Sequence, residues 1–561
     1  MADKNNFDVI VVGSGASGGW ACKRLAESGL AVALLDAGRP QSDSNFSEHR
    51  PNFELKYRSM AQEEQQRTRP IQSAMANEFN LNWFANDLEE PYTTAPGMPF
   101  AWLGRVRMVG GRTNVWGRQS YRLSDLDFKA ASHDGFGEDW PLAYTDVESY
   151  YDLVEDYVGI TGRAERLPQL PDGHFQPHMA LRCCESHFTA QVKQKLGWTV
   201  TAGRSANLTR ALNGRAPCHY CGPCDRGCAT HSYFNSAFTT VADALATGRC
   251  TLIANAMAYQ VLMDGSRNRA RGVLYIDREN RQPREVQGRA VVLCAQATES
   301  VRILFNSANG RYPKGLGNSS GVLGHYLMDH IARGGGASGE FPDFPEKPSV
   351  NGPNRPNGIY VPRFRNLAGQ PQSKNFLRGY GFQTWNDDAR PDLKAPGFGK
   401  GYKEAVMKAQ PGRILLKGFG ECLARWENYV EIDPGVRDTY GIPVVRFHMK
   451  YGENESKMVQ DMADSAAEMM EAAGAKNVVP YSVPDRQPGW GIHEVGMARM
   501  GDDPKKSVLN QFQQSHDIAN LFVMDGAGFT STACQNPTLT IMALAVRSCD
   551  HLMDTMKRGD I

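Results

Sequence analysis

Residues 7–12 (FDVIVV) and 31–35 (AVALL) are short apolar runs. They flank a glycine cluster and a stretch in which apolar positions recur at helical spacing. That alternation predicts a strand, a glycine turn, a helix and a second strand over residues 7–38, a βαβ unit whose second strand ends on Asp36. Related punctuation returns near the end of the chain. NLFVMDGAGF predicts a strand over Leu521–Met524 and an acid-glycine turn at Asp525 and Gly526, and apolar positions at helical spacing follow from Pro537. Between these ends the pattern changes. Residues 414–451 alternate apolar and polar positions and predict antiparallel strands joined by a turn around Asp433–Gly435, whereas ESKMVQDMADSAAEMMEAAG predicts a helix whose methionine face packs into a core. The stretch from Asp343 to Gly489 is the least regular, with proline- and glycine-rich pieces such as PSVNGPNRPNG.

Composition narrows the class. A chain of 561 residues, 41% hydrophobic and 22% charged, is long enough for a large core and for two intertwined domains. A formal net charge of +1 with scattered basic residues gives no electrostatic reason to expect a nucleic acid partner. No run approaches the roughly 18 apolar residues of a membrane span. MADKNNFDVIVVGSG enters its first strand without a cleavable apolar leader, so no secretory signal is expected. Four of the 12 cysteines fall within CHYCGPCDRGC, residues 218–228, and the other eight read mostly as small buried hydrophobes of a chain that folds in a reducing compartment.

The glycine cluster is a GxGxxG at Gly13, Gly15 and Gly18. Gly13 permits the tight turn, Gly15 lets the backbone approach a pyrophosphate, and Gly18 allows close helix packing; the helix N-terminus offers N–H groups to phosphate and Asp36 is placed for an adenosine ribose. Combined with the late strand-turn-helix, this pattern resembles the glucose-methanol-choline (GMC) flavin oxidoreductases over nearly the whole chain. GRVRMVGGRTNVWG (104–117), with Gly110, Gly111 and Asn114, looks like that family's second flavin loop; VVLCAQATESVRILFNSA (291–308) like its strand-helix return; and GVLGHYLMDH (321–330) like the entry to its substrate domain. The resemblance implies an α/β fold in which a Rossmann-like FAD domain is interleaved with an α+β substrate domain built on an antiparallel sheet. FAD-binding segments are expected at 1–340, with a cysteine-rich insertion near 180–235, and at 490–561, and the substrate domain at 341–489. Asp525, Gly526 and Pro537 are expected to complete the flavin site.

In the family, His493 of GIHEVGMARMG and Asn536 of CQNPTLT would face the flavin as a His-Asn pair. The chemistry suits them: oxidising an alcohol needs a proton acceptor for the hydroxyl while hydride leaves carbon, and a neutral imidazole serves, with an amide to hold the same hydroxyl. Val115 stands where pyranose-oxidase-like relatives can carry a flavin-linked histidine, and neither it nor Asn114 can form that link, so FAD is expected to be non-covalent. Gln383 and Trp385, in the expected substrate sheet, could hydrogen-bond and stack on a sugar, or be ordinary core and rim residues.

Cys218, Cys221, Cys224 and Cys228 follow C-x2-C-x2-C-x3-C, the iron-sulfur run of bacterial ferredoxins, except that Ala229 replaces the usual proline. Zinc and disulfides are the rivals. The resemblance extends to bacterial sugar dehydrogenases, including glucoside 3-dehydrogenases, whose similar insertion carries a 3Fe-4S cluster; that needs three cysteines and leaves open which one is spare. A flavin with such a cluster implies a dehydrogenase acting on a secondary hydroxyl, foremost C3 of a glucoside, with a small subunit and a cytochrome-type acceptor, made in the cytoplasm and reaching the periplasm through a signal-bearing partner. The competing readings are an oxidase using dioxygen with a structural zinc, and a flavin-bearing redox sensor, which would have no use for a proton acceptor beside the flavin.

Overall fold

A computed structural model describes residues 6–50, 54–57, 62–348, 355–371, 375–385, 389 and 391–561. PSVNGPNRPNG therefore lies partly outside the described residues, as do the first five residues of the chain. Strand Asn6–Val12 sits at the centre of a seven-stranded sheet, parallel to Val32–Leu35 on one side and to Pro283–Leu293 on the other. Cys250–Ile253 extends the sheet beyond Val32–Leu35. Pro283–Leu293 is long enough to serve two neighbours: residues 283–287 pair antiparallel with Arg269–Asp277, and residues 291–293 pair parallel with Leu521–Val523. The chain's first and last strands are thereby joined through one strand, which brings their following turns to the same edge. Such carboxyl ends are where open α/β sheets bind ligands.

The two glycines that flank the first turn are fixed by contact distances. Gly13 has φ +98° and a Cβ there would lie 2.3 Å from the Cys294 carbonyl oxygen; a Cβ on Gly18 would lie 1.8 Å from the carbonyl oxygen of Gly13. Helix Ala16–Glu27 therefore rests directly on the turn that precedes it. Its buried face includes Trp20, Cys22 and Leu25.

A six-stranded antiparallel sheet forms the second layer, in the order Lys476–Ser482, Ile331–Glu346, Gln410–Gly420, Tyr380–Gln383, Ile359–Val361 and Thr201–Ala202. Helix Glu453–Ala472 covers it with Met458, Met462, Met469 and Met470, all fully buried. The strand Ile331–Glu346 crosses position 340, and Thr201–Ala202 reaches this sheet from the cysteine-rich segment, so the two domains share chain on both sides of the expected boundary. One expectation is corrected. Asp433–Gly435 is no turn: strand Tyr429–Arg437 runs through it with a register shift between Ile432 and Arg437, so Pro434 and Gly435 occupy an irregular stretch of the strand. The chain reverses at 438–442, where the Asp438 carboxylate accepts N–H bonds from Tyr440 and Ile442 (both 2.9 Å) and Gly441 has φ +80°. The hairpin also belongs to a separate sheet with Thr93–Thr94, leaving only Gln410–Gly420 of that stretch in the large one.

Gly18→Ala should destabilise the flavin-free protein by about 1–3 kcal/mol, seen as a lowered thermal transition, because the new methyl meets backbone that cannot give way. Gly15→Ala is the control: a Cβ at Gly15 meets nothing within 4 Å. Equal transitions for the two variants would refute the packing argument.

Candidate active site

At the shared edge opens a cleft of about 1300 Å³ of atom-free space, its mouth included, running from Gly13, Gly15 and Asp36 past Gly111 and Arg112 to His493, Asp525 and Pro537. Asp36 is buried, and its carboxylate is held by two bonds from Ser14, through N–H (2.9 Å) and through the hydroxyl, and by the Gly38 N–H (2.6 Å). Burial pushes its pKa up while those donors pull against it. Ser14 in turn accepts the Gly110 N–H at 2.8 Å, binding the second glycine loop to the first. The cleft fits a dinucleotide on an observation independent of resemblance. Gly15, with φ −67°, has no conformational need to be glycine, and a side chain there would project into the open space in front of helix Ala16–Glu27.

Not every expected flavin residue faces this cleft. Gly111, Asp525, Gly526 and Pro537 line it, whereas Gly18, Gly110 and Asn114 do not. Asn114 is fully buried and its amide is occupied: Nδ2 donates to the carbonyls of Val109 (3.1 Å) and Gly111 (2.9 Å), and Oδ1 accepts from Gln41 and Asn235. It holds the loop in shape from behind. Asp525 accepts the Ala527 N–H (2.9 Å) and the Ser300 hydroxyl, and burial raises its pKa to about 6. Pro537 caps helix Thr538–Arg558, whose first residues form one wall.

His493 stands at the inner end of the cleft, on a loop held by residues that sequence reasoning did not single out. The buried Asp329 carboxylate accepts three backbone N–H groups from that loop, of Gly489 (3.0 Å), Gly491 (2.9 Å) and His493 (2.8 Å). Gly491 is obligatory here because its Cβ would fall 2.4 Å from that carboxylate. Ile492, a β-branched residue at φ +59°, is a conformational outlier, and Arg112 braces it by donating to its carbonyl at 3.0 Å while pairing with Glu494 through both carboxylate oxygens (2.6 and 3.2 Å). The MDH of residues 328–330 was the available signal: an acid and a histidine ending a segment already recognised for other reasons.

His330 follows Asp329, and its Nδ1 lies 3.1 Å from Nδ1 of His493, with the rings nearly perpendicular. One of those nitrogens carries the shared proton. On the other side of His493, Asn536 Nδ2 lies 3.5 Å from Nε2, and the Asn536 amide is oriented by Gln383, whose Nε2 donates to Asn536 Oδ1 at 2.6 Å. In this orientation Asn536 turns its Nδ2 toward His493, which goes with a lone pair on Nε2 and a proton on Nδ1, shared with His330. Gln383 thus serves Asn536 instead of presenting a free amide to a sugar. Trp385 lies one layer away: it packs against Phe419, which neighbours His493, and sits under Lys417 at 4.2 Å. Burial, then His330, then Arg112 depress the His493 pKa well below the usual histidine value, and burial takes His330 to about 4. The pair is neutral at ordinary pH. A neutral imidazole lining the cleft can take the hydroxyl proton of an alcohol; the Asn536 amide is aligned on that ring but is not itself among the residues that line the cleft.

The four clustered cysteines are elsewhere, half-buried and unbridged. Their thiols feel one another: burial first, then neighbouring thiols and Glu48, raise Cys221 to about 12, and Cys224 is raised to about 11. Among the described residues, however, the donor atoms that converge within 4.8 Å, as one metal ion requires, are those of His49, His219 and Cys221, and the other three thiols do not belong to that group.

This architecture is that of a dinucleotide-dependent alcohol oxidoreductase. The GMC oxidoreductase profile matches residues 7–332 and 424–545, and the chain belongs to that family. Across 97% of its length it is 28% identical to a 2-methyl-1,2-propanediol dehydrogenase of Mycolicibacterium austroafricanum, covering 95% of that protein. It is 26% identical to the fructose dehydrogenase large subunit of Gluconobacter japonicus over 98% of both chains. A shorter match, 33% over 26% of this chain and 28% of the other, is to a C-glycoside 3-oxidase of Arthrobacter globiformis. The fold superposes on pyridoxine 4-oxidase from Mesorbium loti with a TM-score of 0.60 at 15% identity, over 98% and 99% of the two chains. The family implies FAD, and the cleft residues described above are those that would hold it.

Gly15→Val should leave the thermal transition of the flavin-free protein unchanged and abolish flavin retention; a yellow variant with full flavin content would show that the cleft is misread. His493→Ala should keep the flavin and lower kcat by about 100-fold or more. In the parent, a protonated His493 has no lone pair, so kcat/KM is present above its pKa and lost as pH falls through it. The acid limb is therefore expected below 6.5, and a limb at or above 6.5 would contradict the assignment.

Proposed function

We propose that the protein is an FAD-dependent dehydrogenase that oxidises a secondary hydroxyl of a sugar or glycoside to a ketone, foremost at C3 of a glucoside, and passes the electrons to an external acceptor. The observation that carries this reading is the alignment of Gln383 on Asn536 and of Asn536 on Nε2 of His493, the residue of the three that lines the cleft. FAD, when bound, supplies the hydride-accepting ring. The chain's own residues do the rest. Nε2 takes the hydroxyl proton, Nδ1 passes the resulting positive charge toward His330, and the Asn536 amide donates to the hydroxyl oxygen so that the carbon hydrogen is presented in one direction.

Support for a sugar or polyol comes from the named relatives, and support for position 3 from the C-glycoside 3-oxidase match and the resemblance of the cysteine insertion to glucoside 3-dehydrogenases. The same insertion offers the donor set of an iron-sulfur cluster, which when bound passes electrons singly; the thiols of Cys218, Cys221, Cys224 and Cys228 are all close enough to influence one another. In this reading a small subunit and a cytochrome-type acceptor receive the electrons, as the large-subunit title of the fructose dehydrogenase relative suggests, and cytoplasmic synthesis followed by export with that partner accounts for the cluster.

Incubation with a panel of glycosides and an artificial acceptor, followed by NMR of the products, should give a ring ketone with the anomeric carbon and the primary hydroxyl intact. A lactone or an aldehyde as the product would sink the secondary-hydroxyl reading. Turnover with dioxygen as fast as with the artificial acceptor would favour an oxidase.

A further inference from the structure

We infer that His49, His219 and Cys221 form a mononuclear binding site for a divalent metal ion of zinc-like softness, separate from whatever the remaining cysteines hold. Two imidazoles and one thiol, contributed by chain positions 170 residues apart, place their donor atoms within 4.8 Å of one another. The two Nε2 atoms are 2.6 Å apart, one ring donating to the other, and the rings stand at 81°. Both histidines are exposed, and an ion taken up between them would replace that hydrogen bond and spread the two nitrogens. Two imidazoles and a thiolate are a donor set that zinc and its neighbours take up, with a remaining position open to water.

The site is built, because the turn that carries His49 is sewn to the cysteine loop. Ser47 N–H donates to the Arg226 carbonyl (2.9 Å), the Arg226 guanidinium donates to the Arg50 carbonyl (3.1 Å), and the Ala229 N–H donates to the buried Glu48 carboxylate (2.5 Å). Gly227, at φ +114°, lets Phe46 pack against the loop where a Cβ would lie 2.3 Å from its ring. Glu48 Oε1 is 4.0 Å from His49 Nε2. With the thiolate of Cys221 it balances the two positive charges of the ion, and binding releases one proton from the thiol to solvent. Cys218, Cys224 and Cys228 stay outside the site, which therefore does not depend on whether they hold a cluster.

The test uses the full-length flavin-bearing protein, depleted of labile metal and titrated with cobalt(II) and zinc(II). About one cobalt per chain should bind with a thiolate charge-transfer band, and zinc should displace it. His49→Ala, His219→Ala and Cys221→Ser should each remove the band while flavin content is kept. Iron and sulfide, assayed in parallel, report on the proposed cluster and should be unaffected in all three variants. A band that survives the His49→Ala and His219→Ala variants would overturn the site. So would loss of iron and sulfide in Cys221→Ser with no effect of either histidine, since Cys221 would then belong to the cluster. Absence of iron from the parent with the cobalt pattern intact would sink the electron-exit reading and leave this site standing.

Discussion

The candidate active site depends on one buried carboxyl. Asp329 collects three backbone N–H groups from the loop that carries His493, at a place where no side chain longer than glycine's fits at position 491. Burial raises its pKa to about 7, with Glu494 adding to the effect and the three donors opposing it. Removing the donors would leave a buried polar group without partners, at a cost of roughly 1–3 kcal/mol. The loop and the acid therefore hold each other. Ile492 shows what the arrangement overcomes: a β-branched residue in the left-handed region costs on the order of 1–3 kcal/mol and persists because Arg112 and Asp329 fix the chain on either side.

Asp329 lies just before strand Ile331–Glu346, the long strand of the antiparallel sheet, while Arg112 comes from the second glycine loop and Asn536 from the turn before the last helix. His493 is consequently positioned by both layers at once. Gln383 adds a second link, since it belongs to the antiparallel sheet and its amide decides which way Asn536 points. A substrate entering between the layers meets a proton acceptor whose ring and partner are already oriented, so less orientation has to be achieved during the reaction itself.

Legibility in the sequence followed the range of the interactions involved. The βαβ unit and the late strand-turn-helix were readable because period and glycine spacing are local, and the family pattern then placed His493 and Asn536. Asp433–Gly435 misled because Pro and Gly in succession signal a turn, yet here they fall on a strand whose partner shifts register past them, which only the pairing with Pro443–His448 reveals. Asn114 is expected at the flavin by resemblance, and Gln383 is open between a sugar contact and a core residue; an amide serves backbone and neighbouring side chains as readily as a ligand, and the partners Asn235 and Asn536 lie 121 and 153 residues away along the chain. His330 and Asp329 were hidden for the same reason, each acting on a loop more than 160 residues away. His49 illustrates the limit for metal chemistry: the cysteine spacing draws attention to thiols alone, whereas of the two imidazoles beside Cys221 one, His219, lies in the same run and the other comes from a turn 170 residues before it.

The depressed pKa of His493 looks at first like a handicap in a base, because a low pKa means weak proton affinity. It is sufficient for this chemistry. As hydride departs from the carbinol carbon, the hydroxyl becomes the O–H of a developing protonated carbonyl, which is a far stronger acid than the alcohol, so a weak base accepts the proton downhill once carbon-hydrogen cleavage is under way. What the site must avoid is an imidazole that is already protonated when substrate arrives. Burial and the neighbouring His330 and Arg112 secure that. After transfer, the imidazolium shares its Nδ1 proton with His330, so the new charge is not left on a single buried ring.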